Sequence, residues 1–370
     1  MTATTTVLTN TSPVLRRAWH CVAESEEVDS TPRRVWLLDE PWVVVRMAGR
    51  VRAFRDRCPH RSAPLSIGAL VDGELRCAYH GWRFDDGGAC TAIPALGEGA
   101  HVPSRACLST PHAVEERFGL VFLAPEEPRS PLPRADLLGD ETFAVARCRS
   151  VRTHVGAAQL VDNFMDGAHF PYVHAASFGV EDATEVDAGD VETDGWSVSS
   201  TFGAPYRNHD DPAVETGEHP LEQPHTVRKV GRADLICELE LAFELTGGSF
   251  RIVYAVTPER ADRTRVYKVI ARDDLHHAPG RIERVAADED VILGEDLRIL
   301  EHYDDASLDV SARSELSTRA DRLSVAWRRL MARAMADDAG LATTKCVEPA
   351  APSGDSPSVP PAGKTAETRR

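Results

Sequence analysis

The sequence predicts an α+β fold in two parts: an all-β N-terminal domain, then a catalytic-sized domain of antiparallel sheet flanked by helices. Three observations carry this. Short β-rich runs punctuated by turn residues fill the chain from Arg16 to about Val121. A run of Pro125, Pro128, Pro131 and Pro133 then marks a boundary. Beyond it, strand-like alternation gives way to two helical patterns near the C-terminus.

Taken in order, residues 1–15 read as a flexible leader. Residues 35–38 and 42–45 are β-rich, with Asp39, Glu40, Pro41 and Gly49 as punctuation, and residues 118–123 form another apolar strand. Residues 157–170 predict a helix, and residues 186–202 suggest strands. Residues 205–224 predict a long polar loop of the kind that serves as a lid. Residues 235–245 alternate, with Cys237, Leu239, Leu241, Phe243 and Leu245 on one face and Glu238, Glu240 and Glu244 on the other. Gly247 and Gly248 turn this strand into residues 250–256, and Pro258 to Asp262 turns that one into residues 265–271. The result is an antiparallel meander. Helices are expected over residues 282–302 and 320–336. The domain reading is a leader 1–15, a first domain 16–135, a second domain 136–338 and a disordered tail 339–370, which is Pro-rich and lacks aromatic side chains.

The chain has 370 residues, with 42 Lys and Arg against 58 Asp and Glu, a formal charge of −16. That acidic balance argues against nucleic acid, whose phosphates need a basic surface. No apolar run approaches the ~20 residues of a membrane span, and no basic-then-apolar signal opens the sequence. The 8 Cys are scattered. In a chain this large they suggest a reducing, cytoplasmic setting, where cysteines more often bind metal.

Cys58-Pro59-His60 and Cys77-Ala78-Tyr79-His80 each offer one thiolate and one imidazole. Together they could hold one zinc ion, or a 2Fe–2S cluster with Cys on one iron and His on the other. Gly68, Gly73 and Gly81 are placed as turn residues around both loops, with Trp82, Phe84, Pro64 and Leu65 beside them. The stretches 56–68 and 75–84 resemble the Rieske domain of ring-hydroxylating oxygenases. Respiratory Rieske proteins carry an extra disulfide between these loops. Ala63 and Tyr79 stand at the corresponding positions here, which fits the oxygenase and ferredoxin branch.

Asn163, Asp166 and His169 are spaced three apart, so on a continuous helix they share a face. Pro171 should end that helix and let His174 fold back. Two imidazoles and a carboxylate form a facial triad that leaves positions open on ferrous iron. The series Asn163, Asp166, His169, His174 resembles the catalytic helix of Rieske non-heme iron oxygenases. That resemblance implies that His169 and His174 ligate mononuclear Fe(II), and that Asp166 bridges cluster and iron without ligating. It also places Asn163 with Asp166 among the catalytic residues. The third ligand should come from the acidic helix near residue 290. Asp296 sits amid Ile292, Leu293, Ile299 and Leu300, where an unpaired charge is costly and a metal removes the cost. Glu289 has similar neighbours and competes; Glu295 and Asp290 should point toward solvent. The resemblance favours Asp296.

The family resemblance, over residues 16–336, implies a helix-grip catalytic domain and an oxygenase that uses O2 as co-substrate. A ferredoxin or an NAD(P)H-dependent reductase should supply electrons, and the protein should assemble as a homotrimer. It implies hydroxylation, demethylation or oxidative cyclisation of a hydrophobic ring-containing small molecule. A Rieske electron carrier without its own oxidation site is the alternative, or a zinc Cys2His2 protein. Residues 205–224 and 250–256, with Phe164, Met165 and Phe202, are the expected pocket walls. Arg46, Arg50, Arg52, Arg55, Arg57, Arg61, Arg76 and Arg83 form a locally basic stretch. It could steer an acidic ferredoxin, or pair with acids elsewhere in the fold.

Overall fold

The computed structural model describes residues 6–345 apart from 188, 276–279, 312 and 314. The N-terminal part runs β1 (Val7–Leu8), β2 (His20–Glu24), β3 (Arg33–Leu37), β4 (Glu40–Met47), β5 (Arg50–Arg55), β6 (Ala69–Val71), β7 (Glu74–Arg76), β8 (Arg83–Phe84), β9 (Cys90–Ala92), β10 (Ala113–Arg117) and β11 (Leu120–Ala124). Three small antiparallel sheets result, in the orders β3-β4-β5, β10-β11-β2 and β6-β7-β8-β9. Val43, Val44 and Val45 in β4 are each fully buried, so this strand is covered on both faces and sits between its two neighbours. Its hairpins turn at Leu38-Asp39 and Ala48-Gly49, where both central residues adopt positive φ, as tight two-residue hairpins require.

The second part runs β12 (Ala144–Arg147), β13 (Val151–Thr153), α1 (Ala157–Met165), α2 (Phe170–Val173), β14 (Asp190–Asp194), β15 (Ser197–Arg207), α3 (Pro212–Thr216), β16 (Glu222–Arg232), β17 (Ile236–Phe243), β18 (Ser249–Arg260), β19 (Arg263–Arg272), α4 (Arg281–Leu300), β20 (Leu308–Asp309) and α5 (Arg322–Lys345). One antiparallel sheet holds the order β12-β19-β18-β17-β16-β15-β14, with β13 also on β19. The predicted meander is β17-β18-β19. Helices α1, α4 and α5 pack on this sheet. Leu323, Trp327, Leu330, Met331 and Ala334 form the buried stripe of α5, and the Trp327 indole donates to the Arg232 carbonyl at 3.0 Å. The α+β class is as the sequence predicts.

The two parts share a core. Val22, Val44, Leu160, Val256 and Trp327 belong to one apolar cluster. Backbone bonds cross between them, from Leu38 N to Pro258 O (2.8 Å) and from Asp39 N to Glu259 O (3.1 Å).

Four sequence expectations need correction. The leader is docked from β1 onward: β1 pairs with β20, and Leu8 is fully buried. Asn10 donates to Thr264 Oγ1 and Arg260 O, and accepts from the Ala157 amide at 2.8 Å, satisfying one of the unpaired N–H groups at the start of α1. The helix expected over 157–170 stops at Met165. Asp166 has extended backbone (φ −82°, ψ 150°), and a separate short helix begins at Phe170, with Pro171 in its first turn rather than ending it. The ends of the supposed loop 205–224 are strand, since Pro205 pairs with Pro224 across β15 and β16, and α3 lies between. Helix α5 continues to Lys345, past the expected start of the tail; residues 346–370 of that tail, like residues 1–5 of the leader, lie outside the described residues.

His20, on the central core side of β2, is 1% exposed and contacts the Leu15 carbonyl through Nε2 at 2.7 Å, while Nδ1 has no partner. Burial pushes its imidazole down to about 4. The unfolded chain takes up this proton near 6.5, so stability is lost as pH falls from there toward the folded value. We expect His20→Gln to remove about 2 kcal/mol of the destabilisation seen between pH 7 and pH 5, measured by denaturant unfolding.

Candidate metal centres

The first centre lies at the tips of two loops. Cys58 and His60 sit between β5 and β6, and Cys77 and His80 between β7 and β8. The loops share a turn geometry. Ser62 N donates to Cys58 O at 2.9 Å, and Gly81 N donates to Cys77 O at 3.1 Å. Gly68 packs against β7 so closely that a Cβ would sit 2.2 Å from the Arg76 carbonyl oxygen, which explains the glycine. Both thiols are 2% exposed, whereas both imidazoles reach the surface. The His60 ring stacks on Trp82 (4.7 Å, 8° between planes) and lies 4.5 Å from the His80 ring. Burial, with Cys77 alongside, pushes the Cys58 thiol up to about 11, so a cation is needed to hold thiolates here. The described residues contain one set of three or more ligand side chains whose atoms all lie within 4.8 Å of one another, and these four are not it. Buried sulfur on one side and exposed nitrogen on the other suit a two-iron cluster better than a single zinc ion.

The second centre is that set: His169, His174 and Asp296. The break after α1 creates it. Leaving the helix at Asp166 swings His169 and His174 onto a short helical turn facing α4. His169 Nε2 and His174 Nε2 lie 3.4 and 3.3 Å from the same oxygen, Asp296 Oδ1. The opposite nitrogens are held by carboxylates: His169 Nδ1 contacts Asp166 Oδ2 at 2.7 Å, and His174 Nδ1 contacts Glu295 Oε2 at 2.8 Å. Carboxylate-held Nδ1 atoms leave both Nε2 lone pairs free for a metal. Burial pushes the Asp296 carboxyl up, but the two imidazoles outweigh it and hold it well below the ordinary range. At Asp166 burial acts the same way and is outweighed by His169, giving about 2.

Among the predicted residues, Asn163 lies on α1 with its amide 3.5 Å from Asp296 Oδ1, at the edge of hydrogen bonding. Glu289 is not in the set; it pairs with buried Lys268 at 3.0 Å. Glu295 corrects the expectation that it faces solvent. It is 4% exposed, and Ser177 Oγ also donates to it at 2.7 Å. Helical periodicity could not reveal this, because the cover comes from residues 174–177, over a hundred positions upstream. Asp290 is half-buried rather than exposed.

The set opens onto a pocket. Phe164, Phe170, Phe178, Tyr206 and Tyr254 are among its walls, and His174, Phe178 and Tyr206 stack in succession (4.7 and 5.2 Å). Of the expected wall residues, Phe164, Met165 and the strand from Phe250 to Tyr254 contribute, as does the start of the 205–224 segment. Phe202 lies outside the pocket. Sequence reading missed Lys229, on β16, which is 3% exposed. Burial pushes its ammonium down to about 8. On the other side of the set, Asp166 borders a cleft that includes Ile299, Tyr303 and Leu316, all more than half exposed.

Four of the eight arginines of the basic stretch are spent on ion pairs: Arg46 with Glu116, Arg52 with Asp86, Arg55 with Glu40 and Arg83 with Asp72. Arg50, Arg57, Arg61 and Arg76 are exposed.

Comparison with known proteins places both centres in context. Residues 18–109 match the Rieske [2Fe-2S] domain family, and residues 153–337 match the vanillate O-demethylase oxygenase C-terminal domain family. The methylxanthine N1-demethylase NdmA of Pseudomonas putida is 27% identical over 337 residues, covering 85% of this chain and 88% of its own. The vanillate O-demethylase oxygenase subunit of a Pseudomonas species is 26% identical over 347 residues, covering 87% and 95%. Among solved structures, NdmA of P. putida with caffeine superposes with a TM-score of 0.73 at 22% identity over 87% of this chain and 95% of its own. Dicamba monooxygenase bound to 3,6-dichlorosalicylic acid gives 0.69 at 24% over 88% and 98%.

The geometry of the three-ligand set gives one expectation. Cobalt(II) titrated into metal-depleted protein should occupy it, and Glu295→Gln should weaken that binding about 10- to 100-fold by loosening His174. Absorption spectroscopy of the bound cobalt checks this; unchanged affinity would refute the role of Glu295.

Proposed function

We infer the role of this chain from its family and its two candidate centres: it belongs to the Rieske oxygenases that carry a vanillate O-demethylase-type catalytic domain. It is the oxygenase component of such an enzyme, an oxidoreductase, and the family works with a reductase or ferredoxin. We assign the 2Fe–2S cluster to Cys58, Cys77, His60 and His80, and the mononuclear iron to His169, His174 and Asp296. When bound, the cluster supplies single electrons and the iron activates dioxygen.

The chain's own residues shape that chemistry. Asp166 and Glu295 fix the tautomer and angle of the two ligating imidazoles. Asn163 steadies Asp296 from α1. The aromatic walls exclude water and present a flat slot to a ring. The observation that carries the reading is this juxtaposition of an open-sided ligand set with an aromatic pocket. The substrate is a hydrophobic ring compound, and the reaction we favour is oxidative removal of a methyl group from ring-bound oxygen or nitrogen, as the names of several relatives indicate for those enzymes. With two electrons and two protons from the donor system, O2 and the methyl ether or amine give the demethylated product, formaldehyde and water.

The working unit we propose is a homotrimer. The cluster tip displays His60, His80, Ile67 and Tyr79, and the cleft beside Asp166 displays Ile299, Tyr303 and Leu316. Two unlike surfaces on one chain, each carrying exposed large hydrophobic side chains among polar ones, suit a head-to-tail contact that closes into a ring. Asp166 then joins a neighbour's cluster histidine to His169. Exposed Arg57, Arg61 and Arg76 lie beside the cluster loops in sequence and suit an acidic ferredoxin. The domains correspond to 16–135 for electron input and 136–338 for oxidation. A cytoplasmic location accords with the seven cysteines of the described residues being in no disulfide; among the described residues no helix is long and apolar enough to cross a membrane.

The test is the purified holoprotein supplied with a surrogate reductase. Three iron atoms per chain are expected, with oxygen uptake and formaldehyde release on ring methyl ethers or N-methyl heterocycles. Two irons per chain would indicate an electron carrier, and a colourless zinc protein would indicate the Cys2His2 alternative. Asp166→Asn should keep the cluster's absorption spectrum and, once loaded with saturating ferrous iron, still lower turnover on the order of 100-fold. Normal turnover in that variant would remove the bridging role.

A further inference from the structure

Away from the metal centres, the charges of one groove do not balance. It runs between α5 and the β14–β15 hairpin, with buried Val198 and Leu330 in its floor and Arg322, Arg329 and Arg333 along it. Spacings of seven and four residues put the three arginines on one face of α5, over about 16 Å of its length. All three are exposed. Arg322 donates to the Gly189 carbonyl at 3.2 Å. Arg333 donates to the Gly195 carbonyl and lies 4.2 Å from the Trp196 ring centroid. Arg329 makes no hydrogen bond or ion pair among the described residues.

The contrast with Arg328 is direct. Asp162 and Glu315 hold that guanidinium at 2.6 and 2.7 Å, whereas none of the three groove arginines has an ion pair among the described residues. Asp190 is the one carboxylate that lines the groove. Three guanidiniums therefore face one carboxylate, in a chain whose net charge is −16. Each guanidinium presents a fork of N–H donors that suits carboxylate oxygens. The backbone carbonyls at Gly189 and Gly195 orient two of these forks without neutralising them.

Position adds a second constraint. Ser317 and Val325 line both this groove and the cleft beside Asp166. In the proposed ring, that cleft is where a neighbouring copy brings its cluster.

We propose that the groove is part of the docking surface for the electron donor, and that it receives the carboxylate-rich face of an acidic ferredoxin or ferredoxin-like domain. The three arginines span more than one small anion can bridge, so the matching carboxylates are spread over a protein surface. Val191, Val198 and Leu330 give that contact an apolar centre within a charged rim. A donor seated there stands beside the incoming cluster. One electron leaves the donor's reduced iron–sulfur centre for the Rieske cluster, and no bond forms or breaks. With Arg57, Arg61 and Arg76 of the cluster loops, the groove makes a composite face contributed by two copies. The proposal rests on the oxygenase reading for the donor's identity and on the ring for the nearness of a cluster.

The experiment titrates the holoprotein calorimetrically with an oxidised acidic plant-type [2Fe–2S] ferredoxin. Stopped-flow absorption then follows reduction of the holoprotein's cluster by the same ferredoxin in its reduced form. Binding and rate should both weaken as salt rises. Arg329→Glu should lower both about tenfold at low salt, with iron content and reduction by dithionite unchanged. Arg284, exposed on α4 and outside the groove, supplies the control. Arg284→Glu makes the same change in net charge and should cost less than about twofold. No ferredoxin binding, binding indifferent to salt, no loss in Arg329→Glu, or an equal loss in Arg284→Glu would each overturn the proposal. Should Arg329→Glu not fold, Arg329→Gln takes its place, with a loss of about threefold expected. Arg329-dependent binding to protein that holds three irons but accepts no electron would overturn it too. The same binding to protein found without the third iron would leave the docking face standing and remove the oxygenase reading instead.

Discussion

Asp296 is the constraint around which the second half of the molecule is arranged. Its carboxylate is 5% exposed and meets two imidazole Nε2 atoms at one oxygen. A further carboxylate stands behind each imidazole. Negative groups gathered this densely in a poorly solvated place repel one another unless a cation lies among them. Each surrounding feature serves that cluster. Helix α4 buries Leu293, Leu297 and Leu300 beside Asp296 and Glu295, and the helix break after Met165 delivers Asp166 and His169 to the other side. Ser177 reaches back to fix Glu295. Arg328, held by Asp162 and Glu315, ties α5 to the base of α1.

This explains why α1 is short. A continuous helix would place Asn163, Asp166 and His169 on one stripe, each pointing the same way. The site needs them to converge from different directions: Asn163 toward Asp296, His169 edge-on to it and Asp166 behind His169. Extended backbone at Asp166 provides that divergence. Its carboxylate then accepts from the Ala168 and His169 amides, which compensates for the lost helical bonds. Lys229 donates to the carbonyl freed by the same break.

Sequence reading reaches the candidate ligands and stops short of their supports. Cys58, His60, Cys77 and His80 are legible because spacing, flanking glycines and Trp82 all follow from local loop geometry. The meander β17-β18-β19 is legible because side-chain alternation has a period of two. An acid amid Leu293, Ile292 and Leu300 needs a reason, but Glu289 has like neighbours, and only the family resemblance favours Asp296 over it. Glu295, Ser177 and Lys229 are not legible, since each is buried by a segment distant in sequence: Glu295 by residues 174–177, Lys229 by the turn at Asp166. The leader fails for the same reason. Nothing local in Val7 and Leu8 announces a partner at Leu308 and Asp309.

The shared core of the two halves has a consequence for electron flow. Leu38 and Asp39, in the tight β3–β4 hairpin, bond to Pro258 and Glu259 at the end of β18, and Thr257 donates to the Cys21 carbonyl at 2.6 Å. With Val22, Val44, Val256 and Trp327 in one cluster, the halves are packed as a single interior rather than joined by a hinge. Close-packed interiors do not permit large rigid-body swings without breaking many contacts at once. The cluster tip and the three-ligand set therefore hold fixed positions within a chain. Were a cluster held by Cys58, His60, Cys77 and His80, the exposed imidazoles of this fixed tip would offer its route to a docked partner. The cleft with Asp166 at its edge is held by the same packing, so its shape is equally fixed.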